Sequence, residues 1–167
     1  MDFYDVVRSR RSIRAYKPDA VPDDVLDRVL EAARLAPSAC NIQPTQLYVV
    51  RSADKRAALG ASYGQAWFTG APVIICACAR PGDAWCRGDG KSYADVDVAI
   101  ALDHLTLAAV AEGLGTCWIG AFQVAALRSV LELPPHLDPV AMTPLGWPAE
   151  SPEARPRKPL SDMVEYL

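Results

Sequence analysis

A group of basic residues near the start of the chain is the first candidate for chemistry. Arg10, Arg11, Ser12 and Arg14 lie within one short segment of a chain whose net charge is −3. Guanidinium groups pair with phosphate oxygens in a bidentate manner, and the serine hydroxyl adds a neutral donor. The segment is therefore either a solvated basic turn or a binding site for a concentrated anion.

A second group of polar residues lies on a stiff loop. The segment 37–44 follows a predicted helix and has a proline at each end, which restricts its backbone. Ser38, Asn41 and Gln43 offer donors and acceptors of the kind that a planar heterocycle with polar edge atoms requires. The other interpretation is an ordinary helix exit, in which Asn41 and Gln43 satisfy backbone groups.

Glycines flank a short predicted strand further along the chain. Gly113 and Gly115 precede the strand at 116–119, and Gly120 follows it. Because these positions have no side chain, they allow a backbone to approach a ligand closely. A helix C-cap and a tight strand end would explain the same glycines.

A second basic group stands on a proline-rich C-terminal arm. Arg155, Arg157 and Lys158 follow the segment 144–148 and have prolines on both sides, which disfavour a packed helix or strand. An arm of this composition either stays solvated or returns to the first basic group and closes over a phosphate.

Hydrophobic periodicity predicts the elements that must position these residues. The predicted helices cover residues 3–11, 23–35, 55–59, 93–114 and 123–131, and the predicted strands cover residues 46–50, 73–79, 116–119 and 139–145. The predicted helices and strands do not alternate strictly along the chain, and no GxGxxG motif follows the first strand. Both observations favour an α+β sandwich over a Rossmann domain. The helix at 93–114 is apolar almost all round, so we expect it to be buried in a dimer core.

Composition limits the classes of function. The 167 residues are 51% hydrophobic, which is typical of one folded domain. A pI near 5.3 argues against a nucleic-acid or anionic-membrane surface. No apolar run approaches the roughly 20 residues that span a bilayer, so we expect a cytoplasmic protein.

Cysteines and histidines show no pattern of a metal or disulfide site. The five cysteines lack a CxxC pair, so we predict buried reduced thiols: Cys40, Cys76, Cys78, Cys86 and Cys117. We expect the Cys117 thiol to have a raised pKa and to be inert. His104 and His136 have no partner at a ligand spacing, and we predict structural roles for both and no metal.

The four polar and glycine-rich segments, in this order, resemble the FMN-dependent nitroreductase family. The resemblance rests on residues 10–16 (RRSIRAY), 36–44 (APSACNIQP), 113–122 (GLGTCWIGAF) and 145–148 (LGWP) ahead of Arg157-Lys158-Pro159. Residues 65–68 (QAWF) ahead of Ala71-Pro72-Val73 are also similar to the family. The resemblance covers nearly the whole chain and implies one nitroreductase-like α+β domain over residues 1–167. Such a domain has a central mixed or antiparallel sheet packed by helices, a long buried helix at the dimer core and an extended C-terminal arm.

The resemblance implies an FMN site shared between two copies of the chain. It implies that Arg10, Arg11 and Ser12, with Arg157, bind the phosphate and that Arg14 lies near the pyrimidine edge of the flavin. Contacts from the partner subunit are expected from Pro37, Ser38, Ala39 and Asn41, with Gln43 nearby. The backbone near flavin N5 is expected to belong to Ile119, Gly120 and Ala121.

The implied activity is transfer of a hydride from NADH or NADPH to a small conjugated electrophile, such as a nitroaromatic or a quinone, by a ping-pong mechanism. Because the flavin carries the chemistry, no catalytic side chain is expected. The alternatives are a flavin-sequestering protein without turnover and a specialised role such as reductive dehalogenation. Two features separate this chain from the family pattern: Thr45 replaces a frequent aromatic, and only the loop 81–92 can cover the substrate face.

Overall fold

A four-stranded antiparallel sheet forms the centre of the molecule in the computed structural model, which describes residues 1–167. Its strands are β1 (Thr45–Val50), β2 (Val73–Ala79), β3 (Gly115–Thr116) and β4 (Asp138–Gly146), in the spatial order β1-β2-β4-β3. Strand β2 pairs with β1 from Thr45↔Ala79 to Val50↔Ile74, and with β4 from Val73↔Leu145 onward. This arrangement confirms the predicted α+β class with a central antiparallel sheet.

Six α-helices surround the sheet. They are α1 (Phe3–Ser9), α2 (Asp23–Arg34), α3 (Ala53–Ala58), α4 (Ala66–Thr69), α5 (Ala94–Ala111) and α6 (Val124–Leu131). None of them is long and apolar enough to cross a membrane. The short helix α4 was not predicted, because four residues show no periodicity.

Strand β2 is buried on both faces, and its side chains alternate between two hydrophobic cores. Ile75 and Ala77 pack with residues of α2 and α5 on one face, whereas Ile74 and Cys76 pack with Phe68 of α4 and with α6 on the other. The continuous apolar sequence of β2 is therefore explained by helices on both sides of the sheet.

Four predicted boundaries were wrong by two residues or more, and one of them is the start of α3, which lies at Ala53 instead of residue 55. Tertiary contacts explain two of the other three. Helix α1 ends at Ser9 instead of residue 11, because the chain then turns to donate the Ile13 N–H to Thr116 O at 2.8 Å. Helix α5 ends at Ala111 instead of residue 114, since Gly113 adopts a left-handed φ of 78°. Strand β3 has two residues instead of four, because the Cys117 N–H donates to the Thr143 hydroxyl instead of to a strand carbonyl.

The cysteine prediction was right for three residues and wrong for two. Cys76, Cys78 and Cys117 are buried, whereas Cys40 and Cys86 lie in exposed loops. All five are free thiols. The C-terminal arm after residue 150 forms no helix or strand apart from one 3-10 turn at Leu160–Asp162, as the prolines predicted. It is exposed along almost its whole length.

Candidate functional site

A cavity of about 190 Å³ joins the two basic groups of the sequence. No hydrophobic residue lines it. Its lining residues are Arg10, Arg11, Ser12, Arg14, Pro152, Glu153, Arg155 and Arg157. The structure therefore brings both ends of the chain to one strongly cationic site, which we call the arginine cavity.

The positive charge of the arginine cavity is only partly offset, because Glu153 is the one acidic residue among its five arginines. None of its five arginines forms an ion pair with a carboxylate, whereas Arg28, Arg34 and Arg87 elsewhere each do. Arg11 donates to the carbonyl oxygens of Arg8 and Arg10 at 2.6 and 2.8 Å. The Arg10 guanidinium has no hydrogen-bond partner in the chain. A donor set of this kind fits a dianionic phosphate group, which needs several charged donors in one place.

Backbone hydrogen bonds hold the segment that carries Arg10 to Arg14. Ile13 N–H donates to Thr116 O, and Lys17 N–H donates to Trp147 O at 2.9 Å. In the segment that follows β4, the Ala149 N–H donates to Ala15 O at 2.9 Å. The basic segment is thus fixed against the β3 edge of the sheet and the chain that leaves β4.

Two glycines permit close packing here: Gly115 leaves space for Ile13 of the basic segment, and Gly146 leaves space for Pro72, which precedes β2. A β-carbon at position 115 would lie 2.7 Å from Ile13 Cγ1, and one at position 146 would lie 2.5 Å from Pro72 Cδ. Both distances are shorter than real carbon contacts allow. The prediction that Gly115 admits a ligand is therefore replaced by a packing role, since Ile13 occupies that space.

Arg14 lies at the rim of the cavity beside two residues that the sequence alone did not single out for this role. Its backbone N–H donates to the Glu150 carboxylate, and its guanidinium lies over the Trp67 ring at 6.0 Å from the centroid. The ring attracts the cation electrostatically and limits its conformations. Trp67 belongs to the family-like segment 65–68, but nothing in that segment shows that it meets Arg14.

The predicted backbone donors follow β3. Ile119 is fixed by two hydrogen bonds to Met142, at 2.8 and 2.9 Å. Gly120 and Ala121 are exposed, and their N–H groups donate to no group of the chain. A β-carbon at Gly120 would meet no atom within 4 Å, so the backbone is open on that side of the residue.

Neither Cys117 nor Tyr16 is prepared to act as a nucleophile or a base. Burial raises the pKa of the Cys117 thiol, although Arg14 and Arg10 favour its ionisation. Burial also raises the pKa of Tyr16, whose hydroxyl donates to Ile13 O at 2.6 Å. The raised pKa that the sequence predicted for Cys117 is confirmed.

The loop 37–43 lies outside the arginine cavity. Pro37, Ser38 and Gln43 line a different cavity of about 250 Å³, together with residues of α2, β1 and α5. Ala39 donates its N–H to the Asp97 carboxylate at 3.0 Å, and Cys40, Asn41 and Gln43 have left-handed backbone conformations. A single chain therefore does not bring Pro37, Ser38, Ala39, Asn41 or Gln43 together with the arginines.

The fold and the arginine cavity define an α+β protein with a strongly cationic cavity at the edge of an antiparallel sheet. The sequence profile of the nitroreductase family matches residues 7–65 and 60–147. The chain therefore belongs to the nitroreductase family.

Individual relatives agree with this assignment. A protein of Thermus thermophilus called NADH dehydrogenase is 35% identical over 186 residues, which cover 93% of this chain and 91% of the relative. The crystal structure of a nitroreductase family protein from Clostridium difficile superposes with a TM-score of 0.91, at 32% identity and with 99% and 98% coverage. A Desulfovibrio desulfuricans protein crystallised in complex with FMN has a TM-score of 0.87 and 30% identity, with 100% and 97% coverage.

Proposed function

We propose that the protein is an FMN-dependent oxidoreductase that transfers a hydride from NADH or NADPH to a small conjugated electrophile such as a nitroaromatic or a quinone. The observation that carries this proposal is the arginine cavity, whose five guanidinium groups have no carboxylate partner. The similar Desulfovibrio desulfuricans protein in complex with FMN and the Thermus thermophilus NADH dehydrogenase support the choice of cofactor and of reductant.

The arginine cavity would hold the FMN phosphate. Arg10 and Arg157 supply charged donors, and Ser12 supplies a neutral one. Arg11 braces the segment through its bonds to the carbonyls of Arg8 and Arg10, and its charge adds to the field. This division of roles refines the sequence prediction, in which Arg11 belonged to the phosphate group alone.

Two features beside the cavity suit the flavin ring. When bound, FMN supplies two-electron chemistry as an acceptor and donor of hydride. Arg14 places a fixed positive charge where negative charge on the reduced pyrimidine edge would be stabilised. The free N–H groups of Gly120 and Ala121 provide donors for the edge that contains N5, and Ile119 holds them in place.

A second copy of the chain would complete the site. An apolar groove of about 480 Å³ lies among α1, α2 and α5, and Phe3 and Leu35 beside it are 65% and 64% exposed. Exposed apolar surface of this extent favours association. Because α2 leads directly into the loop 37–43, a partner on this face can present Pro37, Ser38, Ala39 and Asn41 to the other copy's flavin, with Gln43 nearby. One molecule of FMN would then lie in each half of the homodimer interface.

Both substrates would use one open face in turn. The chain offers no ionised nucleophile beside the site, and the loop 81–92 is its only candidate cover. Trp85 of this loop and Tyr93, the residue that follows it, form an edge-to-face aromatic pair with ring centroids 4.9 Å apart. A ping-pong sequence follows, since NAD(P)H must leave before the electrophile can approach the same ring.

Visible absorption of the purified protein tests the cofactor. Flavin peaks, or their appearance after reconstitution with FMN, are expected. A colourless protein that fails to bind added FMN contradicts the proposal. Sedimentation should show a dimer, and a monomer that retains FMN would contradict the shared site.

Anaerobic titration with NADH and NADPH tests turnover. Bleaching of the flavin by either reductant, followed by recovery on addition of a quinone or a nitroaromatic, is expected. A flavin that neither reductant bleaches would instead identify a sequestering protein.

A further inference from the structure

Asp97 is a buried carboxylate that the proposed chemistry does not use. It lies in the first turn of α5 and is 2% exposed. Its Oδ1 accepts the Ala39 N–H at 3.0 Å, and its Oδ2 has no hydrogen-bond partner. Burial of a carboxylate is costly unless the group is satisfied, so a half-satisfied one implies a specific role.

The loop that Asp97 contacts has an unfavourable backbone. Cys40, Asn41 and Gln43 have φ values of 51°, 55° and 56°, in the left-handed region that residues with side chains seldom adopt. Bonds within the loop, such as Gln43 N–H to Ser38 Oγ at 2.9 Å, stabilise its shape. Such conformations persist only where the surroundings determine them.

Packing anchors this loop only weakly to the body of the protein, because residues 40–43 are exposed. A cavity of about 250 Å³ lies between Ser38 and Gln43 of the loop and Ala101 of α5. Between residues 37 and 43, the Ala39–Asp97 bond is the single hydrogen bond to a part of the chain distant in sequence. Asp97 is therefore the one polar tether between the loop and the long helix.

We propose that Asp97 is a positioning residue, which holds the loop 37–43 in the conformation that contacts the partner subunit's FMN. This inference rests on the proposed function, because the loop is assigned there to the shared flavin site. Asp97 does not touch the cofactor and acts through the Ala39 amide. What matters is an acceptor oxygen at the position of Oδ1, and the negative charge is secondary.

Four variants separate these features. Asp97→Ala removes the acceptor. Asp97→Asn keeps a carbonyl oxygen for Ala39 without the charge, and Asp97→Glu keeps the charge but moves the carboxylate outward by one methylene. Asp103→Ala is the matched control, since Asp103 is an exposed aspartate of the same helix. Melting temperature and sedimentation of each variant report folding and dimerisation separately.

The first readout is hydrogen–deuterium exchange of the peptide 37–44 in the FMN-free protein. Asp97→Ala and Asp97→Glu should speed exchange by about tenfold, whereas Asp97→Asn should stay within about threefold of wild type, as expected for one hydrogen bond. If Asp97→Ala does not fold, the test is the difference in exchange rate between Asp97→Glu and Asp97→Asn. Equal exchange in all variants, or equally fast exchange in Asn and Ala, overturns the proposal.

The second readout is FMN affinity, measured by quenching of flavin fluorescence. Asp97→Ala should weaken binding by about tenfold, and Asp97→Asn should restore most of it. Faster exchange with unchanged affinity would overturn the assignment of the loop to the flavin site. If wild type itself does not bind FMN, the proposed function fails, and the exchange readout still decides whether Asp97 holds the loop.

Discussion

The side chain of Ile13 occupies the space where residue 115 would carry a β-carbon. Its Cγ1 would lie 2.7 Å from such an atom, and its backbone N–H donates to Thr116 at 2.8 Å. At Ile13, the segment with the arginines is therefore held by a backbone hydrogen bond to Thr116 and by the absence of a side chain at Gly115. Its position thus depends on a residue of β3 that carries no charge.

Gly115→Ala should destabilise the protein and weaken FMN binding. The added methyl group forces Ile13 away from β3, and overpacking of this kind costs about 1–3 kcal/mol. Urea unfolding measures the stability and fluorescence quenching the affinity. Gly82→Ala is the control, because a β-carbon there meets nothing within 4 Å. Equal stability of the two variants would show that Ile13 moves without cost.

Arg10→Ala should weaken FMN binding by about tenfold or more, because it removes charge-assisted hydrogen bonds worth about 1.5–3 kcal/mol. Titration of the FMN-free protein measures the affinity. Arg8→Ala is the matched control, since the Arg8 side chain is 75% exposed and lies 3.9 Å from Asp5 outside the cavity. Unchanged affinity in Arg10→Ala would place the phosphate elsewhere.

Arg14→Ala should lower the reduction potential of bound flavin. Loss of the nearby charge removes about 1.5–3 kcal/mol of stabilisation from the reduced form, which is about 30–60 mV for two electrons. Equilibration with a reference dye measures the shift. Arg14→Lys should lower the reduction potential by less than Arg14→Ala does, because it keeps a positive charge without the planar group over Trp67. A reduction potential of Arg14→Ala equal to that of wild type would show that Arg14 does not lie near the flavin ring.

Tyr16 should make the protein less stable in alkali. Burial raises the pKa of its phenol, so the folded state keeps the proton where the unfolded chain releases it. The protonated Tyr16 contributes its full stabilisation below about pH 10. As the pH rises above that value, the free energy of unfolding falls by up to about 1.4 kcal/mol per pH unit. Urea unfolding from pH 8 to 11 measures the slope.

Tyr16→Phe should flatten that slope, although it also removes the hydrogen bond to Ile13 O and costs about 1 kcal/mol at neutral pH. Tyr166→Phe, at a side chain that is 89% exposed, should leave the slope unchanged. An identical slope in Tyr16→Phe and wild type would mean that another buried group dominates in alkali.

The pattern of apolar residues predicted those helices and strands whose position depends on their own sequence. The helix at 23–35 and the strand at 73–79 were predicted to within one residue, because each has an apolar pattern of sufficient length. The strand at 116–119 was too long in the prediction, since the side chain of Thr143 takes the Cys117 N–H. That residue is 26 positions away and leaves no local signal.

The candidate site shows the same limit. The sequence places Arg10, Arg11, Ser12, Arg14 and Arg157 in two basic groups, and the structure joins them in one cavity. The sequence alone gives no sign that Trp67 contacts Arg14 or that Glu150 accepts the Arg14 backbone N–H. Asp97 had a weak signal, as an acidic residue on the apolar side of α5 that carries Ala94 and Ala101. Its partner Ala39 is 58 positions away, so only the folded chain shows the pair.

The arginine cavity also sets an order of events during protein synthesis. Arg14 and Glu150 are 136 positions apart, and Arg155 and Arg157 follow later still. A ribosome must therefore release nearly the whole sequence before both walls of the cavity exist. The FMN that we propose for the cavity can therefore bind there only after all four strands and all six helices have been synthesised.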